Sequence, residues 1–403
     1  VERDLLEPEL LPADGRQGPH RDDQALYRDT GGEMKAHRAY KFRLYPDRQQ
    51  EALFHKTFGC CRFLYNRMLA DKKEMYEKTG KMVRLTPAGY KKEYPWLKEV
   101  DSLALANVQL HLEAAYRKFF TEEKAGHPKF KSKHRSRMSY TTNVVNGNIR
   151  IEGGRLRLPK AGAVKIRCHR EVPAGHVLKS ATVSMDRSGK YYASLLYEYP
   201  ASESQTAGKD SRDMEVLGID FAMQGMAVFS DGSRAEYPMY YRKAQERLAR
   251  EQRKLSHCKK GSRNYDRQRK VLARCHEKVR NQRRDYLHKL SRGIADRYDA
   301  AAVEDIDMKA MSRCLKFGKS VMDDSYGAFR DMLAYKLEEQ GKELVKVDRF
   351  FPSSKMCSRC GNVKKELGLD ERTYHCGCGN CMDRDVNAAV NIREEGRRIL
   401  KTA

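Results

Sequence analysis

Apolar positions change their period several times along the chain, and each change marks a different kind of element. From Ala39 to Tyr45 they alternate with polar ones, as in a strand with one buried face. Pro46-Asp47 then opens a region, running to about Lys124, in which they recur at helical spacing. Leu53, Phe54, Phe58, Leu64, Tyr65 and Leu69 form one such series, and Leu103, Val108, Leu112, Ala115 and Phe119 another. Between Ser139 and Tyr199 short alternating pieces return, separated by glycines, and predict a small β-barrel or sandwich.

A different pattern begins after the polar stretch 202–212. Val216-Leu-Gly-Ile-Asp220 reads as a short buried strand ending in a carboxylate, with Met226–Phe229 as its hairpin partner and Asp231-Gly232 as the next turn. A long helical segment follows, residues 241–298, broken at Gly261-Ser262. Its core-facing stripe is Leu272, Cys275, Val279, Tyr286, Leu290 and Ile294. Ala300–Val303 is a buried strand ending at Glu304; residues 325–340 form a helix and 344–347 another strand. Hairpin, helices, strand, helix and strand in that order describe a mixed α/β sheet.

Charge narrows the choice of partner. The 403 residues carry 80 Lys and Arg against 55 Asp and Glu, a net charge of +25 that attracts polyanions. No apolar run is long enough to span a membrane and no signal peptide opens the chain, so a soluble cytoplasmic protein is expected. Residues 1–33 hold nine acidic and four basic side chains with little periodicity, and read as a disordered acidic leader; Met34 is an alternative start. Lys129, Lys131, Lys133 and Arg135 surround Phe130 in a loop suited to a phosphate backbone. Between Arg242 and Arg297 there are twenty Lys or Arg against six Asp or Glu. Internal pairing cannot neutralise that surplus, so Arg253, Lys254, Lys259, Lys260, Arg283 and Arg284 are further candidate nucleic-acid contacts.

Chemistry is concentrated near the C-terminus. Cys60, Cys61, Cys168, Cys258, Cys275 and Cys314 are scattered, as reduced thiols are, but five cysteines fall within twenty-five residues. Cys357-Ser-Arg-Cys360 has the two-residue spacer that turns both thiolates onto one tetrahedral zinc, and Cys376, Cys378 and Cys381 supply the remaining ligands. Cys376-Gly-Cys378 and Cys378-Gly-Asn-Cys381 are both usable bites, and His375 is a further donor. Four protein ligands leave no open position for water, so the zinc is structural. Asp383 and Asp385 follow at once, while Asp220 and Glu304 each stand where an apolar strand ends, the usual place for a site in an open α/β sheet. Carboxylates brought together there need a counter-charge, which magnesium supplies in two-metal phosphodiester hydrolysis.

Several runs together resemble the TnpB family of bacterial insertion sequences, which is similar to the type V CRISPR effectors. They are Gly-Ile-Asp220, the stretch 303–311 beginning Val-Glu304-Asp, the run 350–361 containing Cys357 and Cys360, and Asp-Arg-Asp-Val-Asn-Ala-Ala at 383–389. N-terminal matches are 39–46, 59–66, 92–97 and 128–133, so only the leader lies outside the resemblance. It implies a multidomain α+β protein with a β-barrel wedge domain, an inserted helical recognition lobe, and a RuvC-like (RNase H-type) nuclease interrupted by a zinc ribbon. The boundaries it implies are a wedge strand at 34–46, the lobe at 47–125, the barrel at 126–210, the nuclease at 211–350 with its basic hairpin at 241–298, the ribbon at 351–382 and a last nuclease segment at 383–403. It also implies the catalytic set Asp220, Glu304 and Asp385 with Mg2+ or Mn2+, Asp383 as an adjunct, and zinc on Cys357, Cys360, Cys376 and Cys378. The implied activity is DNA cleavage beside a short motif, directed by a guide RNA from the element's end, with double-stranded DNA as target and neither membrane nor small-molecule substrate. The competing readings are a guide-RNA-dependent regulator without cleavage and a zinc-ribbon DNA-binding accessory of a separate transposase.

Overall fold

The computed structural model describes residues 27–28, 34–200, 214–306 and 325–402, apart from 124, 134, 223, 224, 369 and 370. Most of the acidic leader, the polar stretch 202–212, Cys314 and residues 307–311 of the Glu304 motif lie outside the described residues. The chain divides into two compact units, one of residues 21–201 and the other containing 202–403.

The first unit is built on an antiparallel sheet. β1 (Tyr27–Arg28) pairs with β2 (Met34–Tyr45), so two residues of the expected leader are a strand, and β2 begins five residues before the alternation that announced it. β3 (Met138–Asn143), β4 (Arg150–Glu152), β5 (Arg155–Leu158), β6 (Gly162–Arg167), β7 (Val177–Met185) and β8 (Tyr191–Pro200) complete the order β3-β7-β8-β2-β6-β5-β4. Among the described residues the ends β3 and β4 are not paired, so the sheet has two free ends where a barrel or sandwich was expected. The apolar face formed by Tyr40, Phe42, Leu44, Tyr140, Tyr191, Ala193 and Leu195 is instead packed in one core with helices. Phe54 and Phe58 of α1 (Arg48–Thr79) lie with their rings 6.2 and 5.9 Å from Tyr140.

Local signals explain the helix limits. Asp47 and Gln50 form a reciprocal capping box at the start of α1, and Gly80 closes it in the left-handed region at φ 66°. After α2 (Pro87–Glu93) and a 3-10 turn at Pro95–Glu99, Asp101 accepts the N–H of Leu103 to start α3 (Ser102–Thr121).

The second unit is a five-stranded mixed sheet of order β11-β10-β9-β12-β13. β9 (Val216–Ala222), β10 (Met226–Phe229) and β11 (Arg234–Glu236) are antiparallel, while β12 (Ala300–Glu304) and β13 (Glu343–Val347) add in parallel. β9 runs two residues beyond Asp220, where the sequence pattern ended it. The basic segment is two helices, α4 (Tyr240–Ser256) and α5 (Arg263–Arg297), the second capped by Ser262. With α6 (Tyr326–Glu338), α5 covers one face of the sheet over Leu217, Ile219, Ala301 and Val303. Lys336 ties those helices together, its buried ammonium donating to the carbonyl of His288 and the hydroxyl of Ser291, each at 2.6 Å.

The opposite face carries α7 (Arg384–Thr402) over Val216, Ala300, Ala302, Val345 and Val347. This helix lies unusually close. A Cβ at Gly218 would stand 2.0 Å from the carbonyl oxygen of Ala389, and one at Gly396 would stand 2.4 Å from the Cβ of Ala302. Neither position has room for a methyl group, and at Gly218 the obstacle is backbone that cannot rotate away. Gly218→Ala is therefore expected to destabilise the protein by about 2 kcal/mol or more. Gly293→Ala in α5, where nothing lies within 4 Å, should instead add about 0.4–1 kcal/mol. Urea denaturation of both variants checks the contrast; equal effects would mean that α7 is not seated on Gly218.

Candidate functional site

The parallel register of β9 and β12 brings two carboxylates together. Val216 lies opposite Ala300 and Ile219 opposite Val303, so one further step sets Glu304 level with Asp220. Residues level in a parallel pair share a face, which here is the face under α7. Leu400, near the far end of α7, lies with Met214 and Ala300 at the strand starts, so the helix runs antiparallel to the strands. From Ala389 back to Asp385 is about 6 Å along the helix, and from Gly218 on to Asp220 is about 6.6 Å along the strand. These steps match, and Asp385 arrives at the carboxyl end of β9.

The electrostatics report the same convergence. Burial pushes Asp220 well above the usual carboxylate range, and the charges of Glu304 and Asp385 push it further; the Arg384 guanidinium acts in the opposite sense. Burial also raises Glu304, against a hydrogen bond from the Ser353 hydroxyl. Tyr326 at the start of α6 is buried, and its phenol is raised by burial and by the charges of Asp220 and Glu304. Burial among like charges makes this an acidic cluster, while among the described residues the group whose donor atoms all lie within 4.8 Å of one another is that of the cysteines.

The two aspartates of Asp383-Arg-Asp385 do different work. Asp383 ends β15 (Cys381–Asp383), and its Oδ1 accepts the N–H groups of Asp385 and Val386 at 3.0 and 3.1 Å, which caps α7. Its other oxygen accepts from Arg234 at 2.8 Å. Asp385 stands in the first turn of α7, which begins at Arg384. Arg384 lies 3.7 Å from the Asp385 carboxylate and donates to the carbonyls of Gly368 and Glu371 at 3.0 and 3.2 Å.

Among the described residues, Cys357, Cys360, Cys376 and Cys378 form a group whose sulfurs all lie within 4.8 Å of one another. Cys357 is 3.7 Å from Cys378 and Cys360 is 3.6 Å from Cys376. A tetrahedron of sulfurs about 2.3 Å from a central zinc has edges of about 3.8 Å, so the group fits that ion. Burial opposes ionisation of Cys357, but the N–H groups of Arg359 and Cys360 and the amide of Asn380 bring its thiol down to about 6. Cys381 is exposed, and it and His375, its partner in the β14 (Thr373–His375) and β15 ladder, are outside the group.

The candidate nucleic-acid residues divide by exposure. Lys129, Lys133, Arg135, Arg253, Lys254, Lys259 and Lys260 are exposed. Lys131 is half-buried, with its ammonium 4.0 Å from the centre of the Tyr65 ring, so its charge serves the packing of the first unit. Arg283 and Arg284 are half-buried, Arg283 donating to the Tyr237 hydroxyl at 3.3 Å. Sequence reasoning passed over Ser353, Arg384, Asn387 and Asn391. Asn387 and Asn391 are buried and both donate to the carbonyl of Met356 at 2.7 Å, Asn391 also to that of Ser353. Two asparagines four residues apart on an apolar helix face were the available signal.

Comparison with known proteins agrees with this architecture. A solved Cas12f1–sgRNA–target DNA complex superposes with a TM-score of 0.56 over 89% of this chain and 99% of that one, at 14% identity, which defines the fold as Cas12f1-like. A family described as probable transposase, OrfB of IS605, matches residues 194–315. The Cas12f1-like TNB domain matches 326–392. A helix-turn-helix domain family matches 34–81, which here is β2 followed by the unbroken α1. A Streptomyces pristinaespiralis protein named as a candidate RNA-guided DNA endonuclease is 35% identical over 372 residues, 89% of each chain. The similarly named InsQ of Escherichia coli is 32% identical over 391 residues, 91% of this chain and 94% of that one. The chain belongs to the TnpB family of IS605-type elements.

Two outcomes follow from the site. A carboxylate whose folded pKa is raised costs stability once ionised; its contribution is intact at low pH and is lost as pH rises through the folded value. Asp220→Asn should therefore raise the melting temperature at neutral pH without added divalent ions, the gain shrinking as the solution is acidified. A lower melting temperature at neutral pH would contradict the burial and crowding of Asp220. At the thiolate group, Cys376→Ser should lose zinc and melt earlier while Cys381→Ser keeps both properties, as read by elemental analysis and thermal melting. The reverse result would move the ligand to Cys381.

Proposed function

We propose that this chain is an RNA-guided DNA endonuclease of a transposable element. It would hydrolyse DNA phosphodiester bonds at a target that pairs with its guide and lies beside a short motif. What carries the reading is the assembly of Asp220, Glu304 and Asp385, far apart in sequence, at one end of one sheet in a chain of this family. Relatives named as RNA-guided DNA endonucleases support the reaction class, and the net charge of +25 supports nucleic-acid partners.

In this reading Asp220, Glu304 and Asp385 hold magnesium, which manganese can replace. The bound metal supplies Lewis-acid polarisation of the scissile phosphate and charge neutralisation at the departing 3′-oxygen. The protein's own part is to keep the donors fixed. Ser353 orients Glu304, Arg384 holds Asp385 and moderates the surplus negative charge, and Asp383 fixes the first turn of α7. Cys357, Cys360, Cys376 and Cys378 hold a structural zinc, with every ligand position taken by protein. The exposed cations Lys129, Lys133, Arg135, Arg253, Lys254, Lys259 and Lys260 serve phosphate backbones, where each contact adds salt-dependent affinity.

Expressing the protein with the DNA that flanks its gene, sequencing the RNA that co-purifies, and offering a matching duplex tests the proposal. Magnesium-dependent cutting is expected, and Asp220→Ala, Glu304→Ala or Asp385→Ala should each abolish it while leaving RNA bound. Bound RNA with no cutting in magnesium or manganese would favour a guide-dependent regulator. No bound RNA would favour a DNA-binding accessory.

A further inference from the structure

The segment that follows β13 leaves the sheet beside Glu304 and comes back to it. Val347 lies opposite Glu304 in the ladder, and its carbonyl accepts the N–H of Asp305 at 3.0 Å. Six residues later the Ser353 hydroxyl bonds the Glu304 carboxylate. The two phenylalanines between these anchors have opposite fates. Phe351 packs in the apolar cluster with Val347 and Ile392, whereas Phe350 is 86% exposed, more than any other large apolar side chain among the described residues. Its backbone is fixed, since Asp348 Oδ1 accepts the Phe350 N–H at 2.8 Å and the Asp348 carbonyl accepts that of Phe351 at 3.0 Å. Phe350 is three residues from Val347, so its Cα stands within about 11 Å of the Val347 Cα, on the strand beside the one that carries Glu304.

Two guanidinium groups stand near it. Arg349 pairs with Asp305 at 3.5 Å, and Arg330 lies between Asp305 at 3.7 Å and Asp331 at 3.9 Å. A fixed, exposed aromatic ring flanked by guanidinium groups matches an unpaired nucleobase and its phosphates, since a base stacked inside a duplex has no free face to offer.

We propose that Phe350 is a stacking platform for an unpaired base of the DNA strand entering the Asp220–Glu304–Asp385 site, with Arg349 and Arg330 at the adjoining phosphates. The assignment rests on the nuclease reading of that site. Its job is positional, holding the strand while the carboxylates act on it.

The test uses the full chain with its RNA in an Asp220→Ala background, which should leave DNA uncut. Phe350→Trp introduces a fluorophore, with the Phe350 parent as blank for Trp96. Addition of short oligodeoxythymidylate should quench the new emission, and an equal-length duplex should not. Phe350→Ala and Phe350→Leu should both weaken oligonucleotide binding about five-fold or more, while Phe350→Tyr and Phe350→Trp retain it. Leucine binding as well as phenylalanine, or an unquenched Phe350→Trp, overturns the proposal. Quenching by the RNA alone, or by raising protein concentration without DNA, also overturns it by revealing another occupant. If Asp220→Ala still cuts, the carboxylate assignment fails, whereas the quenching result stands or falls separately.

Discussion

The second unit depends on a helix lying closer to a strand than any side chain permits. Gly218 supplies the bare backbone on β9, and Gly396 with the small Ala302 supplies a second close approach on β12. An α-helix packed through ordinary side chains would ride several ångströms higher. Asp385 would then stand off from the strand ends, since its side chain is short. The spacing of Gly218 from Asp220 and of Ala389 from Asp385 makes this a matched pair of steps, so seating the helix and completing the site are one event.

That arrangement is costly in charge. Asp220 is buried beside two further carboxylates, and burial alone already disfavours its ionised form. The surrounding structure limits this cost without removing it. Arg384 offers a cation and the Ser353 hydroxyl stabilises Glu304, but among the described residues these do not bring Asp220 or Glu304 back to the ordinary carboxylate range. Perturbed carboxylates of this kind cluster at functional sites, where stability is commonly given up.

How much of this was legible depends on the range of the interaction. The strands β9 and β12 were legible because Leu217, Ile219, Ala301 and Val303 belong to short continuous apolar runs that are buried on both faces. The open edge of the first sheet was not legible, because barrel closure depends on whether β3 meets β4, and no local pattern records that. The choice between Cys376 and Cys381 was similarly hidden, since both spacings are sterically allowed and only the fold of β14 and β15 turns one sulfur inward. Lys131 and Lys133 look alike in a basic run, yet one lies over Tyr65 and the other faces solvent. The functions of Ser353, Asn387 and Asn391 were invisible for another reason. They act by hydrogen bonds to partners 29 to 49 residues away, and hydropathy carries no trace of such bonds.

These polar ties also bear on why a thiolate centre sits between Glu304 and Asp385 in the chain. Asn387 and Asn391 of α7 hold the carbonyls of Met356 and Ser353, while the Asn387 oxygen accepts the N–H of Ser358 at 3.0 Å. Those residues lead into Cys357 and Cys360. Arg384 reaches the ribbon carbonyls of Gly368 and Glu371, and Asp383 belongs both to β15 and to the cap of α7. The ribbon therefore grips the first two turns of the helix that carries Asp385 and, through Ser353, the carboxylate of Glu304. An ion closing the four thiolates fixes the ribbon, and the ribbon fixes two of the three carboxylates. The sulfur cluster lies apart from the three carboxylates but is tied through α7 and Ser353 to the placement of Asp385 and Glu304.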